Sequence, residues 1–133
     1  TLAAMPGVHA LTDVTGFGLL GHLLELARGA GLNARLEMAS IPLLPGVEQL
    51  AHDGYFTGAS GRNWDAYGKD VELAAGISPA QQALLTDPQT SGGLLLVVPE
   101  AGVDPILTAL AASGHRAAEI GEVVAGEPEL RIL

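Results

Sequence analysis

At 133 residues, 48% hydrophobic but only 4% aromatic, the chain has the size of one domain whose core must be built from Leu, Val, Ile and Ala rather than from rings. Six Lys and Arg against fifteen Asp and Glu leave a formal net charge of −9, which argues against a nucleic-acid or anionic-membrane surface, since both need clustered cations. With no cysteine there is no disulfide, thiolate metal site or cysteine nucleophile in this piece, and no apolar run approaches the ~20 residues of a membrane span, a composition compatible with the cytoplasm.

The sequence opens at Thr1 without an initiator Met and runs directly into an apolar segment, which reads as the boundary of a piece cut from a larger protein. Residues 8–13 (VHALTD) form a short apolar run ending in a carboxylate and a Gly-rich turn, the pattern of a strand. Phe17, Leu20, Leu24 and Ala27 recur at helical spacing, and Gly29 with Gly31 closes the pattern, predicting a helix over 17–28. Residues 33–38 alternate as a half-buried strand, 41–45 are a Pro-bounded connection, and 46–52 form a short helix. Residues 54–70 hold four glycines, the only Trp and both Tyr without sustained periodicity, and read as a long loop that Trp64 and Tyr67 anchor onto the body.

Ser78 can cap a helix that opens on Pro79 and runs to about residue 85. Residues 87–93 (DPQTSGG) are a second Gly-rich turn leading into the apolar run 94–98, which suits a buried strand. Asp104 and Pro105 open a helix to about 113, stopped by Gly114, and 116–124 and 130–133 are the last strands. The order of elements predicts an α/β (α+β) fold in which a mixed β-sheet is layered with helices, a single domain over residues 1–133.

Two segments can carry chemistry. In the first, residues 12–22 (TDVTGFGLLGH), Gly16, Gly18 and Gly21 satisfy G-x-G-x-x-G, and Glu37 lies near the end of the next strand, so a dinucleotide-binding module is one reading. Against it, Asp13 would repel a pyrophosphate unless a cation lay between them. With a cation the same carboxylate becomes a ligand, because Mg²⁺ favours one or two carboxylates plus phosphate oxygens and water. A third reading has Asp13 merely capping its turn, in a purely structural domain. In the second segment, Thr90, Ser91, Gly92 and Gly93 present hydroxyls and unhindered N–H groups of the kind that hold anions, and the same run also reads as a simple turn. His9 and His22 flank the first segment without the spacing of a zinc motif, which favours packing or exposure over metal binding.

Taken together, ALTDVTGFGLLGHLLELA and LLTDPQTSGGLLLVV, separated by Gly61-Arg62-Asn63 and Tyr67-Gly68, resemble the C-terminal domain of the selenophosphate synthetase (selenide, water dikinase) family, within the aminoimidazole ribonucleotide synthetase-like superfamily. The resemblance covers residues 9 to about 124. It implies an enzyme that converts ATP, selenide and water into selenophosphate, AMP and phosphate with Mg²⁺ bridging the nucleotide phosphates. By residue matching the metal ligand is Asp13. Thr15, Gly16, Gly18, Arg62, Asn63, Thr90, Ser91 and Gly92 are the candidates for lying near nucleotide or phosphate. The resemblance further implies an N-terminal domain that carries the reactive Cys or selenocysteine, the essential Lys and most of the homodimer contact. The piece alone is then expected to be catalytically inert, with no catalytic residue of its own.

Overall fold

A computed structural model describes residues 7–133, so the expected boundary at Thr1 lies outside the described residues. Two sheets organise the chain. β1 (Ala10–Asp13) pairs antiparallel with β4 (Leu94–Val97) as a two-stranded ribbon, and a four-stranded mixed sheet runs in the order β3 (Val71–Leu73), β6 (Leu130–Ile132), β2 (Asn33–Leu36), β5 (Gly121–Val124). β6 is parallel to both β3 and β2, whereas β5 is antiparallel to β2. The mixed, helix-layered α+β architecture is the one the order of elements predicts.

The core forms where α1 (Gly18–Ala30) lays its apolar stripe on the inner face of the larger sheet. Leu20, Leu23, Leu24 and Ala27 are buried against Ala34, Leu36, Leu130 and Ile132, joined by Val14, Tyr67, Leu85 and Leu95. Period-two alternation then puts Glu72, Arg131, Arg35 and Glu122 side by side on the outer face. Arg131 Nε meets Glu72 Oε2 at 2.9 Å and Arg35 Nη1 meets Glu122 Oε1 at 3.2 Å, so the two central arginines are each neutralised from the flank.

Several elements follow the sequence closely. α1 ends at Gly31, which adopts φ +66° and donates its N–H to carbonyls of the last turn. α2 spans Val47–His52. α4 (Pro79–Thr86) begins with a full capping box: Ser78 Oγ accepts from the Gln81 N–H at 3.2 Å and Gln81 Oε1 accepts from the Ser78 N–H at 2.8 Å.

Others need correction. Residues 54–70 are not a loop: α3 (Gly58–Tyr67) occupies most of the stretch, followed by a 3₁₀ turn over Gly68–Asp70. Glycine weakens helices by about 1 kcal/mol each, and α3 overcomes this through tertiary hydrogen bonds described below. β3 directly follows and carries no sequence signal strong enough to separate it from the turn. α5 (Glu100–Ala112) starts at Glu100, four residues before the expected Asp104, with Pro99 as its N-cap, and holds Pro105 in its interior. The run 94–97 is half open rather than buried, because a two-stranded ribbon covers one face only: Leu95 is buried while Leu94 is 54% exposed.

Candidate functional site

The first candidate segment is built by β1 and the turn that follows it. Cross-strand pairs Ala10–Val97 and Thr12–Leu95 share the inner face of the ribbon, which leaves Leu11–Leu96 and Asp13–Leu94 on the outer one. Asp13 thus ends the strand exposed, and among the described residues no hydrogen bond or ion pair engages its carboxylate. One residue later the chain turns inward and buries Val14.

The two glycine-rich segments, 74 residues apart in their Asp residues (13 and 87), are stitched into one unit. Val14 N–H donates to the Gly93 carbonyl at 2.9 Å and Gln89 N–H donates to the Thr15 carbonyl at 2.9 Å. Gly92 passes so close that a Cβ there would lie 1.9 Å from the Val14 carbonyl oxygen. Gly18 has φ +68°, and a Cβ on it would meet the Thr86 carbonyl carbon at 2.6 Å and oxygen at 2.8 Å. Gly21 abuts the Phe17 Cβ and the Tyr67 ring.

α3 clamps this unit from the side. Ser60, Asn63 and Tyr67, at i, i+3 and i+7, lie on one face of the helix. The Ser60 hydroxyl donates to the Ala83 carbonyl at 3.0 Å and lies 2.6 Å from the Thr86 hydroxyl. Asn63 Nδ2 donates to both the Gly16 and the Thr86 carbonyls, each at 2.9 Å. The Tyr67 hydroxyl donates to the Phe17 carbonyl at 2.6 Å. Burial pushes that hydroxyl up to about 12, opposed in part by the backbone of Gly21. At the other end of α3, Asp87 Oδ1 accepts from both the N–H and the hydroxyl of Thr57, at 3.1 and 2.6 Å, which places a carboxylate at the helix N-terminus.

These facts sort the expected site residues. Asp13, Thr15 and Gly16 stand at the exposed mouth of the first turn, and Thr90, Ser91 and Gly92 in the exposed second turn bound to it. Arg62 is exposed on α3, its Nη1 folded back to within 3.6 Å of the position a Gly58 Cβ would occupy. Gly18 is buried against the end of α4, and both amide hydrogens of Asn63 are taken up by backbone carbonyls. His22 packs as expected. Its buried ring tilts against Phe17, with Nε2 3.1 Å from the Thr15 hydroxyl and Nδ1 3.2 Å from Glu25 Oε2 in a geometry too poor for a hydrogen bond.

The dinucleotide reading fails on topology and on space. That fold needs its first strand inside a parallel sheet and its acidic residue at the end of a neighbouring parallel strand. Here β1 belongs to an antiparallel ribbon, Glu37 follows β2 in the other sheet, and the spaces beside Gly18 and Gly21 are filled by the chain's own atoms. Ser60 is invisible in the sequence because the helix carrying it is, and Tyr67 is legible there only as an anchor of the segment; their i, i+7 spacing around Asn63 is the signal available.

Mg²⁺ suits Asp13 chemically, as a hard oxygen donor without another partner among the described residues. A single carboxylate leaves most ligands to be supplied from elsewhere, and among the described residues no group of three His, Asp or Glu could hold a metal.

Comparison with known proteins places this geometry. Residues 1–132 match the family model described as AIR synthase related protein, C-terminal domain. The chain is 67% identical over 126 residues to a selenide, water dikinase of Burkholderia ambifaria (strain MC40-6), covering 94% of this chain and 36% of the relative. It is 61% identical over 130 residues to that of Pseudomonas straminea, covering 97% and 36%. The chain therefore spans about 36% of the length of the curated relatives it matches. Among solved structures it superposes on the E. coli hydrogenase maturation protein HypE with a TM-score of 0.66 and 25% identity, over 98% of this chain and 33% of that one. Thiamine-monophosphate kinase from Stenotrophomonas maltophilia K279a gives a TM-score of 0.65 at 17% identity, over 95% and 31%, a likeness of fold alone. By sequence and by fold, the chain belongs to the AIR synthase related protein family as its C-terminal domain, of the kind found in selenide, water dikinases.

Proposed function

We propose that this chain is the C-terminal domain of a two-domain, ATP-dependent selenide, water dikinase, in which it supplies one wall and one Mg²⁺ ligand of the ATP cleft. The observation that carries the reading is Asp13: an exposed carboxylate without a partner among the described residues, held at a strand end by a braced turn, in a chain 61–67% identical to proteins of that name. The reaction is the conversion of ATP, selenide and water into selenophosphate, AMP and phosphate in the cytoplasm. The partner is the N-terminal domain of the same protein, through which two copies dimerise.

Phosphoryl transfer is mostly positioning and neutralisation of developing charge, and bound Mg²⁺ supplies that neutralisation at the phosphate oxygens. This domain's own part is to aim the Asp13 carboxylate at the metal and to hold it there. Thr15, Gly16, Thr90, Ser91 and Gly92 line the same mouth with hydroxyls and backbone, and Arg62 offers a cation nearby for an anionic ligand or the partner domain. The selenide-handling residue and the essential Lys belong to the N-terminal domain, which leaves the isolated 133-residue chain inert. The test is Asp13→Asn in the full-length enzyme. Selenide-dependent ATP consumption should fall by about two orders of magnitude with the fold intact, and unchanged Mg²⁺-dependent activity would sink the reading.

A further inference from the structure

We propose that Asn63 is the positioning residue of the metal-binding mouth, setting the turn that carries Asp13 rather than touching nucleotide. The inference rests on Asp13 being the metal ligand. Asn63 gives its two amide hydrogens to two carbonyls on different segments, Gly16 in the first turn and Thr86 at the end of α4, 47 and 23 residues away in sequence. No other side chain among the described residues bonds to both. The Gly16 carbonyl lies three residues from Asp13, in the turn that the Val14–Gly93 and Gln89–Thr15 backbone bonds tie to the second segment.

The placement is costly for α3 to maintain, which points away from a passive role. Asn is a poor helix former, and Gly58 and Gly61 precede it in the same helix. Asn63 sits between Ser60 and Tyr67, which fix the end of α4 and the entry to α1, so the three donors hold both sides of the mouth at one spacing. A carboxylate that must meet a metal shared with another domain needs its backbone held to a fraction of an ångström, and outer residues of this kind are worth about 10- to 100-fold in metal affinity.

The test uses the full-length protein with Mn²⁺ as a paramagnetic stand-in for Mg²⁺ and a non-hydrolysable ATP analogue, read by electron paramagnetic resonance, with amide hydrogen exchange over residues 14–18. Asn63→Leu removes both donors without adding charge, and Asn63→Ser keeps one short donor. Ser78→Ala, which uncaps α4 without touching the turn, controls for lost stability. Asn63→Leu should weaken Mn²⁺ binding about tenfold and speed exchange in the turn, with Asn63→Ser intermediate and Ser78→Ala unchanged in Mn²⁺ affinity. Equal effects of Asn63→Leu and Ser78→Ala would overturn the inference, and should Asn63→Leu fail to fold, Asn63→Ser against Ser78→Ala gives the same decision. Asp13→Asn separates the two levels: if it weakens Mn²⁺ binding and the Asn63 variants do not, only the positioning role falls; if it has no effect, the metal-ligand reading falls and takes this inference with it.

Discussion

The Tyr67 hydroxyl donates to the Phe17 carbonyl at 2.6 Å, so the last turn of α3 is fastened to the residue that opens α1. Tyr67→Phe removes only the donor, and it should lower stability by about 1 kcal/mol in urea denaturation. The pH dependence has a definite sign. Folding raises the phenol from 10.0 to about 12, so its contribution is complete below pH 10.0 and is lost as pH climbs toward 12. Tyr67→Phe should lack that alkaline decline; an identical decline in both proteins would rule out Tyr67 as its source.

Gly92 and Gly18 are close-packing positions of the mouth, and Gly16 is not. A methyl at 92 would overlap the Val14 carbonyl and one at 18 would strike the Thr86 carbonyl from a left-handed backbone, whereas nothing lies within 4 Å of a Cβ at 16. Gly92→Ala and Gly18→Ala should each cost more than about 2 kcal/mol, and Gly16→Ala should stay within about 0.5 kcal/mol. Denaturant midpoints of the three variants check the ordering.

How far the sequence reveals this fold depends on where each element draws its stability. α1 and α4 are legible because their signals are local: an apolar stripe closed by Gly31, and the Ser78-Pro79-Gln81 cap. α3 is illegible because Gly58, Gly61 and Asn63 argue against a helix locally, and the compensating bonds reach Gly16, Phe17, Ala83 and Thr86 far away in sequence. The site divides the same way. Asp13 announces itself as a carboxylate at a glycine turn, but the difference between an open Gly16 and a filled Gly18 exists only once α4 arrives beside them.

Asp87 does for α3 what its own N-cap side chain does not. Thr57 makes no capping bond itself, and the carboxylate brought from the end of α4 takes both its N–H and its hydroxyl. Asp87→Ala should cost about 1–2 kcal/mol, with Asp87→Asn losing less because one acceptor oxygen remains. Thermal unfolding of the two variants would show it, and equal losses would mean that charge rather than the acceptor matters.

Ser60 and Thr86 form a buried hydroxyl pair at 2.6 Å in which one hydroxyl donates to the other, and each oxygen also lies within 3.0 Å of a carbonyl of α4. Removing one leaves the other short of a partner, so the effects should not add. Ser60→Ala and Thr86→Val each destabilise by about 1–2 kcal/mol, and the double variant should recover roughly 1 kcal/mol relative to their sum. Strict additivity in a double-mutant cycle would deny the coupling.

β6 comes last among the strands in chain order yet sits in the interior of its sheet, flanked by β3 and β2, with Leu130 and Ile132 fully enclosed. Until residues 130–132 are available, β3 has no strand neighbour and β2 has only β5 among the described residues. Folding of this domain is therefore gated by its most distant contacts, which slows it relative to local helical assembly. A nascent chain lacking that final strand offers an open slot to any extended segment that reaches it, a vulnerability that ends only when the closing strand slides into place.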